Sequence, residues 1–348
     1  MHRVFAILLS LTAGSFGWVE ATAQPVTPLL EHPTELRHAY ALDLLGLQLD
    51  STELLELKEN SDETEMGEEG EKGLLETALP LLAGSLAAAD ADLLSDLETT
   101  LSQTDEDADA EARDLLRRAE RVLIPKTLLG DPVFRAARLA LLASSEPGVG
   151  EGYEEAAGGE TDAYVVGYTG LQRITALWRE LKADLTSAES SVAEVDRAFG
   201  VLGELMPSAT PPERFRNPED AEVAVNDVVF GLESLTGAVL IPRDFGALLG
   251  AVGAHVDSGC GAAEVGNPRL ALEWLTAATF FYDAYLGRTL ATLAPKAHAQ
   301  IGEDLGALTQ LDAAPDTELD AELDSGGTRE RCSSLKAALT EAGRTFGG

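Results

Sequence analysis

Apolar residues recur along most of this chain at three- and four-residue spacings, and alternation of β-branched with polar positions is rare. That pattern predicts helices nearly throughout. Leu36, Tyr40, Leu44 and Leu47 fall on one stripe of a helix expected over 35–57, the face such a helix turns to a core. The stripe lapses in 58–73, where Met66 is the one apolar residue, and this stretch reads as a solvated loop. Helical spacing returns over 74–89 and 90–103. The acidic run 104–111 reads as the start of a helix reaching residue 129, because carboxylates suit the positive end of a helix dipole.

A short helix is expected over 133–144, then a break at the glycine-rich 145–152, a long helix over 170–188 and its continuation over 190–205. Met206-Pro-Ser-Ala-Thr-Pro-Pro212 ends that half. Asn217-Pro218 and Asn267-Pro268 each pair a capping side chain with a proline at the first helical position, and they open helices expected over 221–240 and 269–293. Between them lies a helix over 244–255, and Cys260 sits in Asp257-Ser-Gly-Cys-Gly261, which reads as a loop. Pro295 marks a kink before helicity runs on to Leu308, and a polar linker over 313–327 precedes a last short helix. Roughly ten helices without strand signals predict an all-α fold of antiparallel helical bundles, two packed four-helix-type bundles over 24–206 and 213–348. No repeat of fixed period points to a solenoid.

Composition adds a compartment and removes a function class. A basic start, an apolar run and the small-x-small pattern Ala21-Thr-Ala23 read as a signal peptide over 1–23, cut after Ala23, so the chain is expected in the periplasm or secreted. No later segment is long and apolar enough to span a bilayer, which takes about 20 residues. The two cysteines, Cys260 and Cys332, are expected to pair in an oxidising compartment and to fasten the last helix to the body. The formal charge of -35 argues against nucleic acid, whose backbone needs clustered Lys and Arg. Carboxylates are spread along the chain while lysine is scarce, a balance that fits salt adaptation, with cation binding as the alternative.

Catalytic signatures are few. Neither a Gly-x-Ser-x-Gly elbow nor a His-Glu-x-x-His helix occurs, and Gly148-Val-Gly-Glu-Gly152 lacks the strand and lysine of a phosphate cradle. The histidines are scattered, and His255 with Asp257 near Cys260 is the one cluster.

Within 154–178, Gly170-Leu-Gln-Arg-Ile-Thr175 resembles the part of imelysin-like periplasmic iron-uptake proteins where a loop closes on a Gly-Phe-His-Arg-Ile-Glu helix. Ala39-Tyr-Ala-Leu-Asp-Leu-Leu-Gly46 is similar to a leucine-rich helix in the exported region of some high-affinity iron permeases. The resemblance covers 35–240. It implies an exported, non-catalytic protein of an iron or other divalent-cation uptake system, metal-binding or accessory, with a membrane iron permease or another envelope protein as partner. The family's His and Glu, at i and i+3 on one helix face, can share a cation. Gln172 and Thr175 stand there instead and offer neutral oxygens, poor ligands for a transition metal.

A displaced metal site is expected at Glu219, Glu222, Asp227 and Glu233. Asp283, inside the most apolar helix, would be a buried charge in need of a partner. The rival reading is an envelope interaction or scaffold module that has lost the family's metal site.

Overall fold

The computed structural model describes residues 28–59, 75, 77–103, 106–145, 148–185, 189–309 and 326–346. The leader and its cleavage site lie outside them, as does most of the acidic 58–73 and polar 313–327 stretches. The described residues are helical and contain no strand. The main helices are α1 (Pro33–Glu59), α2 (Ala83–Ala89), α3 (Ala91–Leu101), α4 (Glu106–Leu123), α5 (Pro132–Ser144), α6 (Val149–Gly158), α7 (Thr161–Asp184), α8 (Glu189–Leu205) and α9 (Glu219–Thr236). They continue with α10 (Phe245–Glu264), α11 (Pro268–Tyr282), α12 (Pro295–Thr309) and α13 (Gly326–Phe346). A π-helical turn, Asp283–Gly287, extends α11 into the short helix Arg288–Leu293.

Side-chain caps start four of these helices. Asp131 accepts from the backbone N–H groups of Val133 and Phe134 at 2.7 and 3.0 Å, with Pro132 at the first helical position of α5. Asp90, Asp244 and Asn267 cap α3, α10 and α11 in the same way at 2.9–3.2 Å. A side-chain acceptor at this position satisfies one of the orphan N–H groups of the first turn, worth about 1 kcal/mol. Asn217 does not follow suit. Its side-chain amide donates to Glu219 at 3.3 Å, and α9 starts at Glu219 without a side-chain cap. The helix expected to reach residue 129 ends at Leu123, because Pro125 disfavours helical backbone in the residue before it.

Two glycine-bearing stretches read as breaks are helical. Gly150 and Gly152 lie inside α6, and 257–261 lies inside α10. In each case a neighbouring helix fills the space a side chain would take: a Cβ on Gly152 would sit 2.8 Å from the Cα of Gly167 on α7, and one on Gly259 would sit 2.8 Å from Leu275 on α11.

The buried side chains form a single cluster that includes Leu36, Tyr40, Leu44 and Leu47 on α1 and Leu335 and Ala342 on α13. The predicted stripe of α1 is therefore its core face, with each large apolar side chain contributing roughly 1.5–3 kcal/mol by burial. α1 packs on α4, α5 and α7; α9, which follows the 206–212 run, packs on α5, α6 and α8. α10 and α11 form a hairpin joined through Gly266 at φ +72°, and α11 also packs on α2. Cys260 on α10 and Cys332 on α13 are joined in a disulfide, Cα to Cα 6.1 Å, as the sequence suggested. No helix among the described residues is long and apolar enough to cross a membrane.

Candidate functional site

Three helices, of which α1 and α7 line the main cavity, are tied together by buried charge. Asp43, fully buried on α1, accepts from Arg138 of α5 at 2.6 and 2.8 Å and from Arg173 of α7 at 2.8 and 2.9 Å. Burial alone would raise the Asp43 carboxyl; the guanidinium of Arg138 and then that of Arg173 outweigh it and hold the group below the usual carboxylate range. Arg138 also reaches Glu120 of α4 at 2.7 Å. Gly46 leaves room for Arg173 as it crosses α1: a Cβ there would lie 2.7 Å from its guanidinium nitrogen.

A second clamp joins α1, α2 and α11. Glu273, with no exposed surface, pairs with the equally buried Arg37 and accepts from Ser85 N–H at 2.5 Å, Ser85 Oγ at 2.7 Å and His38 Nε2 at 3.2 Å. Arg37 donates to the Leu81 carbonyl at 3.0 Å and lies 4.5 Å over the Trp274 ring. Desolvation pushes the Glu273 carboxyl up, but hydrogen bonding from His38 and the charge of Arg37 bring it below its ordinary value. Beside this clamp, His255 donates from Nδ1 to the Ala251 carbonyl at 2.7 Å and packs edge-on against Trp274. Burial, assisted by the charge of Arg37, pushes it down to about 4.

These clamps set the walls of a cavity of about 820 Å³, within the range of small-molecule sites. One wall is α1, through Gln48, Ser51 and Leu55; another is α11 with its π-helical turn, through Thr276, Thr279, Phe280, Asp283 and Ala284. The third is the α6–α7 hairpin. Gly159 there adopts φ +118°, a left-handed conformation that suits glycine, and Glu160 N–H bonds back to the Glu155 carbonyl at 3.0 Å, closing a Schellman turn. That turn and the close crossing at Gly152 and Gly167 bring Glu151, Glu155, Glu160 and Asp162 to the cavity. With Asp283, five carboxylates line it, and among the described residues its lining includes no Lys, Arg or His. Serine and threonine hydroxyls and an apolar strip of Leu55, Val166 and Phe280 complete the surface.

Two acceptor oxygens of the lining residues, Asp162 Oδ1 and Gln48 Oε1, are buried with no hydrogen-bond partner, although the Gln48 amide nitrogen donates to Thr52 at 3.1 Å. Buried polar atoms are nearly always satisfied, so each such acceptor calls for a donor.

The metal candidates expected from the sequence do not line this cavity and are not brought together on α9. Glu219 and Glu233 are 14 residues apart, about 21 Å along α9. Glu233 is committed to a loop, accepting from Leu240 N–H at 2.9 Å and Arg243 at 2.7 Å, and Glu222 and Asp227 are exposed. Among the described residues, no three His, Cys, Asp or Glu side chains are grouped to hold a metal ion. On α7, Gln172 is exposed and Thr175 is half-buried, and their neutral oxygens do not fit iron. Arg173, between them, serves the Asp43 clamp instead.

Asp283 is exposed toward the cavity and not buried; the buried carboxylate of that helix is Glu273. His255 and Asp257 do not act together, because His255 is buried and Asp257 pairs at the surface with Lys336 at 2.7 Å. The cavity carboxylates went unnoticed in sequence because 145–152 reads as a glycine-rich break and the long helix was expected only from residue 170; the signal present was five acids within the twelve residues 151–162.

The fold class is thus all-α, built of packed helical hairpins around one buried cluster. No family model, curated protein or solved structure matches the chain.

Proposed function

We propose that this is an exported binding protein that takes a cationic ligand in the acid-lined cavity and does not turn it over. The observation that carries the reading is the sign of the lining: every charged residue described there is a carboxylate. Such a surface attracts cations and excludes phosphates and carboxylates before any specific contact forms. The lining hydroxyls have no His, Cys or Lys among the described lining residues to activate them, which favours capture over nucleophilic catalysis. A disulfide between α10 and α13 suits a protein working outside the cytoplasm. The uptake of iron or another divalent cation for an envelope permease is one form of this reading, the form that the imelysin-like resemblance implies.

Equilibrium dialysis in molar salt, where diffuse counterion binding is screened, tests it. The panel comprises ferrous, ferric and calcium ions and organic ammonium ions, with citrate and phosphate as anionic controls. Saturable, stoichiometric uptake of one cation class and none of the anions is expected. If no cation saturates, the reading fails, and the scaffold alternative, a helical module held against an envelope partner, takes its place.

A further inference from the structure

Two helices on different sides of the fold turn exposed faces outward, and the two faces are opposite in charge. We propose that α4 of one copy of this chain docks on α9 of a second copy, in a head-to-tail contact between helices.

The chain has 25 Lys and Arg residues against 60 Asp and Glu, yet Arg113, Arg117, Arg118, Arg121 and Lys126 fall together over 113–126. Arg113 is engaged by Asp50 and Glu53 of α1, and Arg117 pairs with Asp114. Arg118, Arg121 and Lys126 are exposed, and no ion pair joins them to another described residue. Arg117 and Arg121 are four positions apart and Arg118 and Arg121 three, spacings at which like charges destabilise a helix. Val122, 42% exposed, stands beside them.

The outer face of α9 is the complement. Its outward line is Glu219, Val223, Asn226 and Phe230, with Glu222 and Asp227 on either side, all of them exposed. Val223 and Phe230 are 59% and 52% exposed and about 10 Å apart along the axis. Six large apolar side chains are exposed among the described residues, and three of them, Val122, Val223 and Phe230, stand on these two faces. A single exposed valine needs no account, but two apolar side chains on one line of a helix, flanked by carboxylates, have the apolar centre and charged rim of an interface.

The two faces are separated within one molecule, because α4 packs on α1, α2 and α3 and α9 on α5, α6 and α8. A patch that fits a different patch on the next copy makes a heterologous contact. Copies of formal charge -35 repel at long range. In molar salt the screening length is about 3 Å, so the local charges of the two faces decide. Each helix has 18 residues, about 27 Å, so the contact is small beside the roughly 1,200–2,000 Å² of a stable complex, and the association is weak.

Sedimentation equilibrium of the full chain in molar salt tests the proposal. The wild type is expected to self-associate with a Kd below about 1 mM. Arg118→Glu with Arg121→Glu, and separately Glu219→Arg with Asp227→Arg, are each expected to weaken it at least tenfold; both pairs lie on exposed faces where folding is not at stake. An equal mixture of the two variants is expected to associate again at close to wild-type strength, because one keeps a native α9 and the other a native α4. A wild type that stays monomeric at about 1 mM overturns the proposal. So does either variant associating like the wild type, or a mixture that stays monomeric.

Discussion

Acid should weaken this fold through one histidine. His255 is buried between α10 and α11, its Nδ1 bonded to the Ala251 carbonyl, its ring against Trp274 and Phe281, and the charged group facing it is Arg37 of α1. In the unfolded chain the imidazole titrates near 6.5, whereas in the fold it is pushed down to about 4. Between these values the unfolded state binds the proton and the folded state does not. Stability therefore falls as pH falls, starting near pH 6.5 and levelling off near pH 4. A difference of about 2.5 units at 1.36 kcal/mol each gives about 3 kcal/mol lost across the window.

The assay is urea unfolding at fixed molar salt between pH 7.5 and 4, for the wild type and for His255→Leu, which keeps an apolar filling against Trp274 and Phe281. Asp43 and Glu273 also titrate with folding, but their folded carboxyls lie below the ordinary range, and their contributions are common to both proteins. Subtracting one curve from the other isolates the histidine. The wild type is expected to lose about 3 kcal/mol relative to the variant as pH falls through the window. A difference that stays flat within about 0.5 kcal/mol would show that His255 is not buried as a neutral base.

Two further outcomes probe the frame. Asp43→Asn removes the shared anion from Arg138 and Arg173 and is expected to cost about 3–5 kcal/mol in chemical denaturation, as breaking a buried pair does, while Glu120→Gln at the rim of the same network should cost under about 1 kcal/mol; equal costs would refute the hub. Replacing Cys260 and Cys332 by serine opens a loop of 72 residues, for which chain entropy gives about 4 kcal/mol, and hydrogen exchange should show α13 losing protection first; a loss below about 1 kcal/mol would mean that packing of Leu335 and Ala342 alone holds that helix.

Helices were legible here because their signal is local. The α1 stripe, the Asn267 cap and the cysteine pair need only neighbours in sequence or the compartment to be read. Glycine is different. At Gly152 and Gly259 it marks where another helix comes close, and the facing residues, Gly167 and Leu275, lie 15 and 16 positions away with nothing in sequence to announce the contact. The same limit hid the charges that matter. Asp43 finds Arg138 and Arg173 across 95 and 130 residues, and Glu273 finds Arg37 across 236. The candidates Glu219, Glu222, Asp227 and Glu233 were chosen for density along the chain, but density on one helix spreads side chains along its axis, whereas a hairpin and a distant turn gather them.

That gathering explains how so acidic a chain can hold like charges around one cavity. Glu151, Glu155, Glu160, Asp162 and Asp283 repel one another and, as exposed or half-buried groups, do so more strongly as salt is diluted. The walls that carry them are joined where salt does not reach: α1 to α7 through Asp43 and Arg173, and α1 to α11 through Arg37 and Glu273, with Asp43 and Glu273 wholly buried. Buried pairs are screened far less than surface ones, so the frame keeps its geometry over a range of ionic strength in which the cavity's attraction for a cation changes steeply. The cost of keeping the carboxylates together thus falls on the fold, and a cation entering the cavity relieves it. Ligand binding and stability are linked for that reason.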